Sequence, residues 1–173
     1  MNSQVASVGA YIADCLQVCL GYGRMLVEDI PADKFFRLPQ ANMNHPAFLL
    51  GHITLSADQA LAAIGRPELG TTPEGYRDLF GIGSECVDEA GRYPPKDEIV
   101  AYYGQRHEQA IDALHRTPEE VFQGENPAEG QLREMFPTVG AVVNFGLNCH
   151  HMAHLGQISA WRRVMGLGPV LNL

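Results

Sequence analysis

Four stretches of this sequence repeat apolar residues every three or four positions, and almost nothing in it sustains the two-residue alternation of a strand. A chain patterned this way can bury its apolar stripes only by packing helix on helix. The first stretch runs from about Val5 to Asp29, with Val8, Ile12, Cys15, Cys19, Tyr22 and Leu26 at helical spacing, and Pro31 ends it. The second opens at Asn44 or His45, with Pro46 in the first turn where a missing N–H costs nothing, and continues through PAFLLGHITLSADQALAAI to Gly65. The third follows the turn YPPKDE and spans about Lys96 to Arg116, carrying Ile99, Tyr103, His107, Ala110 and Leu114 on one side. The fourth and longest extends from about Thr138 to Met165, where Gly166, Gly168 and Pro169 stop it. The expected fold class is therefore all-α, a four-helix bundle with long crossover connections.

The stretch from Gly65 to Pro95 is too rich in Gly and Pro to form a long helix, and a connection of that length is unusual in a compact domain. It reads as a crossover strap, a lid over a site, or both, and residues 65–95 are expected at the rim of any pocket. The linkers 30–43 and 117–137 are also broken by Pro and Gly. At 173 residues, a folded chain buries roughly 70% of its extended surface, enough for a single domain spanning 1–173 without disulfides. Cys15, Cys19, Cys86 and Cys149 form no CxxC pair; Cys15 and Cys19, one turn apart, read as core residues.

The formal charge is −8, and no run of basic residues exists to meet a phosphate backbone, so a nucleic-acid partner is not expected. No apolar run approaches the length needed to span a membrane, and the first residues lack the pattern of a secretory leader. The expected location is the cytoplasm.

Seven histidines are present, and their helical faces matter more than their number. In the fourth stretch Val143, Leu147, His150, His154, Gln157 and Trp161 follow a 4-3-4-3-4 spacing, which reads as the buried seam. His150 and His154 then sit one turn apart, placed to give two nitrogens to one metal ion. On the second stretch Leu49, His52, Ser56, Gln59 and Ala63 trace an inward stripe, so His52 is a third candidate. Three neutral imidazoles suit Zn²⁺, Ni²⁺ or Fe²⁺ and leave positions open for chemistry, whereas burying them without a partner would be costly.

The other histidines leave alternatives open. His151 is expected at the seam's edge and is a substitute for His150 as ligand. His107 is a fourth ligand, a base or a packing residue; His45 caps its helix or lies at a rim; His115 complements a helix C-terminus. Gln157 either orients a ligand or is an ordinary amide, and Asp58 and Glu108 lie near the site-bearing helices without a role to assign. HHMAH carries His151 where the HExxH of zinc proteases carries its glutamate, so a protease of that type is disfavoured.

NHPAFLLGHI at 44–53, LFGIGSECVDEAGRYPPKDEI at 79–99 and HHMAHLGQISAWRRVMGL at the C-terminal end, with its H-x-G-Q, resemble the DinB-like (DinB/YfiT) metalloenzyme superfamily over nearly the whole chain. The resemblance implies a four-helix bundle, usually a homodimer, holding a divalent metal through one histidine of the second helix and an HxxxH pair of the fourth. Carried onto this chain, those ligands are His52, His150 and His154. Many relatives have Arg where this chain has Leu155, a difference expected to alter a rim contact. Relatives of known activity are thiol-dependent transferases or isomerases that use a low-molecular-weight thiol. The expectation is a metal-dependent thiol transferase or hydrolase acting on a small electrophilic substrate, its metal Zn or Ni, or else Fe or Mn. The alternative is a non-catalytic dimeric bundle with a structural or relic metal site.

Overall fold

The computed structural model describes residues 7–171 and is all-α, with no strand among them. Helix α1 spans Val8–Glu28, so the expected start at Val5 lies outside the described residues. Ser7 caps it, its hydroxyl accepting the Ala10 N–H at 3.1 Å. Helix α2 spans Pro46–Ala63 and α4 spans Lys96–Arg116; between them lies the one-turn helix α3, Tyr76–Phe80. Two further short helices, α5 (Glu119–Gln123) and α6 (Gln131–Met135), interrupt the connection that follows α4. The last rod is continuous but not uniform: α7 (Val139–Asn144), a π-helical turn (Phe145–His150) and α8 (His151–Val164).

Each long helix packs on two others: α4 lies against α1 and α2, and both of these lie against the final rod. Gly9 and Gly23 let α1 approach closely, because a Cβ at Gly23 would overlap the Tyr103 hydroxyl and one at Gly9 the Phe122 ring. Helix α2 has 13 of its 18 residues buried, more than a one-sided stripe can supply. The strap explains this. Tyr76 and Phe80 of α3 cover the outer side of α2, with Phe80 seated where Gly51 has no side chain.

Buried polar groups tie these layers together. Arg106 of α4 places Nε and Nη2 on Asp58 Oδ1 of α2 at 2.8 and 2.6 Å, and Tyr102 reaches the Thr71 carbonyl of the strap at 3.1 Å. Arg162 of α8 donates to the Leu26 carbonyl at 2.8 Å and pairs with Asp29, closing the C-terminal end of α1. His45 caps α2, its Nδ1 accepting the Phe48 N–H at 3.1 Å while Nε2 donates to the Val87 carbonyl. His115 is exposed in the last turn of α4.

The π turn changes which residues are inside. Bonding from i to i+5 takes up one more residue than an α turn, so everything beyond is set back by about 100° relative to an unbroken helix. The buried stripe runs Val143, Leu147, His151, Leu155, Ile158 and Arg162, instead of passing through His150, His154 and Gln157. His151 is 1% exposed, at the centre of the seam and not its edge. Leu155 is fully buried beside Gly23, a core residue rather than a rim contact. Cys19 is buried, but Cys15 is exposed, because the inward stripe of α1 is Ile12, Ala13, Leu16, Cys19 and Leu20.

Candidate metal centre

Turned out of the seam, His150 and His154 are half-buried and face His52 of α2. Three imidazoles from two elements converge: His150 Nε2 lies 3.3 Å from His52 Nε2 and 2.9 Å from His154 Nε2. Two ligands at about 2.05 Å in tetrahedral geometry are separated by about 3.3 Å, so the spacing matches a shared ion. The ring nitrogens on the far side are all engaged. His52 Nδ1 is 2.8 Å from the Phe80 carbonyl, His154 Nδ1 is 3.2 Å from Gln157 Oε1, and His150 Nδ1 is 3.3 Å from Ser56 Oγ.

Those partners fix the tautomers. A carbonyl or amide oxygen only accepts, so His52 and His154 carry their protons on Nδ1 and aim Nε2 lone pairs at His150 Nε2. The Ser56 hydroxyl can accept as well, allowing His150 to do the same. Lone pairs facing one another at this range repel unless a cation lies between them. Burial, with help from the neighbouring imidazoles, also favours the neutral form of the two histidines of the last rod: His150 is pushed down to about 4, and His154 is lowered even though Gln157 opposes the shift. Neutral imidazole is the ligating form. The three histidines thus form a group able to hold a metal ion. Gln157 is exposed and positions His154, and Ser56 and the Phe80 carbonyl play the same part for the other two.

The remaining candidates lie elsewhere. His107 is fully buried on α4, its Nδ1 donating to the Tyr103 carbonyl at 2.7 Å and its Nε2 without a partner among the described residues. Its ring lies against that of His151, tilted by 48°, with ring centroids 4.6 Å apart. His151 Nδ1 donates to the Leu147 carbonyl at 3.2 Å, so its Nε2 accepts the Tyr103 hydroxyl at 2.8 Å. Burial drives His107 down to about 4; burial and then the neighbouring imidazole drive His151 down to about 2. This pair is a buried core cluster, apart from the converging trio. Asp58 is committed to Arg106, and Glu108 to Arg24 at 2.6 Å.

A cavity of about 900 Å³ opens beside His52 and His150. Its walls are mainly apolar, from Leu55 and Ala60 of α2 and Val142 and Phe145 of the last rod, with Ser56 and Gln59 as polar points. Arg77, Gly81 and Ile82 of the strap close one side. Asn126, Pro127, Ala128 and Leu132 close another; this loop is held by Val139 N–H on the Gly124 carbonyl and Asn126 N–H on the Pro137 carbonyl, each at 2.9 Å. The sequence pattern had no signal for that second wall, because backbone bonds hold it there.

A family model described as the DinB superfamily matches residues 22–158, a span that contains all three histidines and both cavity walls. The chain belongs to the DinB superfamily. No curated protein and no solved structure was found to match it. The DinB match ends at Ile158, so Trp161 and Arg162, which fasten α8 to the Arg37 carbonyl and to α1, lie beyond it. Among the described residues no helix is long and apolar enough to cross a membrane.

Proposed function

We propose that this DinB-superfamily chain is a metal-dependent enzyme, a thiol transferase or hydrolase acting on a small electrophilic substrate. The observation that carries the reading is that three Nε2 atoms converge, with their Nδ1 atoms engaged, at the wall of a largely apolar cavity. Three protein ligands leave coordination positions free, the arrangement of catalytic rather than structural zinc. A divalent ion held by His52, His150 and His154 supplies Lewis acidity, lowering the pKa of a thiol or water and polarising the electrophile.

The chain's own residues do the rest. Phe80, Ser56 and Gln157 hold the imidazoles at fixed angles, and the apolar walls exclude water around the reacting groups. The residues shown support zinc or nickel, with nitrogen donors and no cysteine among them. On the same reading the enzyme is cytoplasmic and pairs with a second copy through the outer side of α1, where Tyr11, Val18 and Met25 stand seven residues apart at 59%, 68% and 39% exposure.

The test is metal content by plasma mass spectrometry on untagged protein, beside a variant with His52, His150 and His154 all changed to Ala. About one equivalent of zinc or nickel, absent from a variant that keeps its helical circular dichroism, is the expected result. The loaded protein should then join a low-molecular-weight thiol to an electrophile or hydrolyse an activated ester. A metal that stays bound while neither reaction occurs would support the non-catalytic bundle instead. Sedimentation as a monomer at micromolar concentration would remove the dimer from the reading.

A further inference from the structure

Among the described residues, Arg77 is the only permanently charged side chain lining the cavity. Its place follows from the local fold of α3. Tyr76 and Phe80 are 4% and 0% exposed and pin this single turn onto α2, which leaves Arg77 on the cavity side; the Arg77 carbonyl closes the turn by accepting the Gly81 N–H at 2.8 Å. Seven arginines elsewhere, among them Arg24, Arg106 and Arg162, pair with carboxylates. Arg77 has no carboxylate within ion-pair distance among the described residues. In a chain of formal charge −8, an unpaired cation facing apolar walls is a local reversal of sign. Arg77 is itself exposed on the strap side of the cavity, so its guanidinium is free to meet an incoming anion.

We propose that the cavity takes a substrate with an apolar body and a terminal carboxylate, and that Arg77 clamps the carboxylate. A guanidinium offers two parallel N–H donors that match the two oxygens of a carboxylate. The inference deepens the proposed function, resting on it for the identity of the reacting end, which would point at His52 and His150. One turn of helix carries both Arg77 and the carbonyl that orients His52, so the distance from clamp to site is fixed by a rigid element. Arg77 is therefore a specificity residue, selecting chain length as well as charge.

The experiment titrates hexanoate and hexanamide, equal in length and differing in charge, into the protein by NMR, with zinc loaded and with zinc removed. Wild type, Arg77→Gln, Arg77→Lys and His150→Ala are compared, folding being checked by circular dichroism. Wild type should bind hexanoate about tenfold more tightly than hexanamide in both zinc states. Arg77→Gln should erase the preference and Arg77→Lys should keep only part of it, with zinc content unchanged in both. The inference is overturned by equal binding of the two probes, by binding of neither, or by a preference that survives Arg77→Gln. A preference seen only with zinc and lost in His150→Ala also overturns it, since the carboxylate would then sit on the metal. If the chain binds no zinc yet shows the Arg77-dependent preference, the metal reading falls and the carboxylate site stands.

Discussion

Replacing Gly51 by Ala tests whether the strap and the site are one mechanical unit. Gly51 lies inside α2, where Ala is intrinsically favoured by about 1 kcal/mol. On helix propensity alone the variant should be more stable. The structure argues the opposite, because a Cβ there would overlap Cδ1 and Cγ of Phe80 and lie 2.7 Å from Cδ2. Phe80 is fully buried and hemmed in by Tyr76, Tyr93 and Phe48, at ring centroids of 4.6, 5.7 and 6.3 Å, so its ring has no free space to enter. Overpacking of this kind costs about 3 kcal/mol at the upper end, leaving a net loss of about 2 kcal/mol after the propensity gain. For a domain of this size that lowers the Tm by about 4–8 °C.

The displaced Phe80 also withdraws the carbonyl that holds His52 Nδ1 at 2.8 Å, so zinc affinity should fall by about tenfold or more. Thermal unfolding of the zinc-free protein, followed by circular dichroism, measures the first effect, and competition against a chromophoric chelator the second. A Gly51→Ala protein as stable as wild type, with unchanged zinc affinity, would refute the coupling of strap to site.

Ser56→Ala and Gln157→Ala should each weaken zinc binding by about tenfold while leaving the Tm of the zinc-free protein within a few degrees, since both act only on imidazole orientation; chelator competition reads the first and calorimetry the second. Burial pushes His45 down to about 4, against its hydrogen bonds to Val87 and within its own turn, so the folded state keeps this ring neutral where the unfolded chain takes up a proton. Its contribution is whole above about pH 6.5 and is lost as pH falls toward 4, a change of about 3 kcal/mol; His45→Asn, which keeps a capping oxygen, should make the acid limb shallower by about that amount in urea titrations, the remainder staying with His107, His150 and His151. Arg106→Met leaves the Asp58 carboxylate buried and alone and should cost about 3–5 kcal/mol in chemical denaturation, whereas replacing Asp58 and Arg106 together by apolar residues should cost less than either change alone.

The bounds of α4 were legible, because Pro95 and the acidic pair Asp97 and Glu98 mark its first turn and Thr117 and Pro118 follow its end. The pair His150 and His154 was legible from spacing, since i,i+4 neighbours share a face whatever that face packs on, whereas His52 rested on its own helical stripe and on the family resemblance. Which face was core was not legible: counting at 3.6 residues per turn assumes an unbroken helix, and FGLNCH carries no Pro or Gly pair to announce a π turn. That assumption put His150 and His154 in the seam and His151 beside it. Support from the Phe80 carbonyl was invisible for another reason, as a backbone acceptor leaves no mark in side-chain pattern. A trace of it existed in Gly51, a residue without a side chain amid the apolar run of α2. Burial of Arg106 had a similar trace, lying three residues after Tyr103 and four before Ala110 on the inward side of α4.

The π-helical turn from Phe145 to His150 also governs how the chain tolerates changes of length. It stores one residue more than an α-helix of the same span would hold. Deleting one residue there lets regular bonding run through, with Val143 above and His154 below keeping the sides they occupy. Deleting one between His151 and Ala160 instead swings all that follows by about 100°, parting Trp161 and Arg162 from the Arg37 and Leu26 carbonyls. The final rod therefore has a single slack joint, placed between the half that builds the core beside α5 and the half that carries His154.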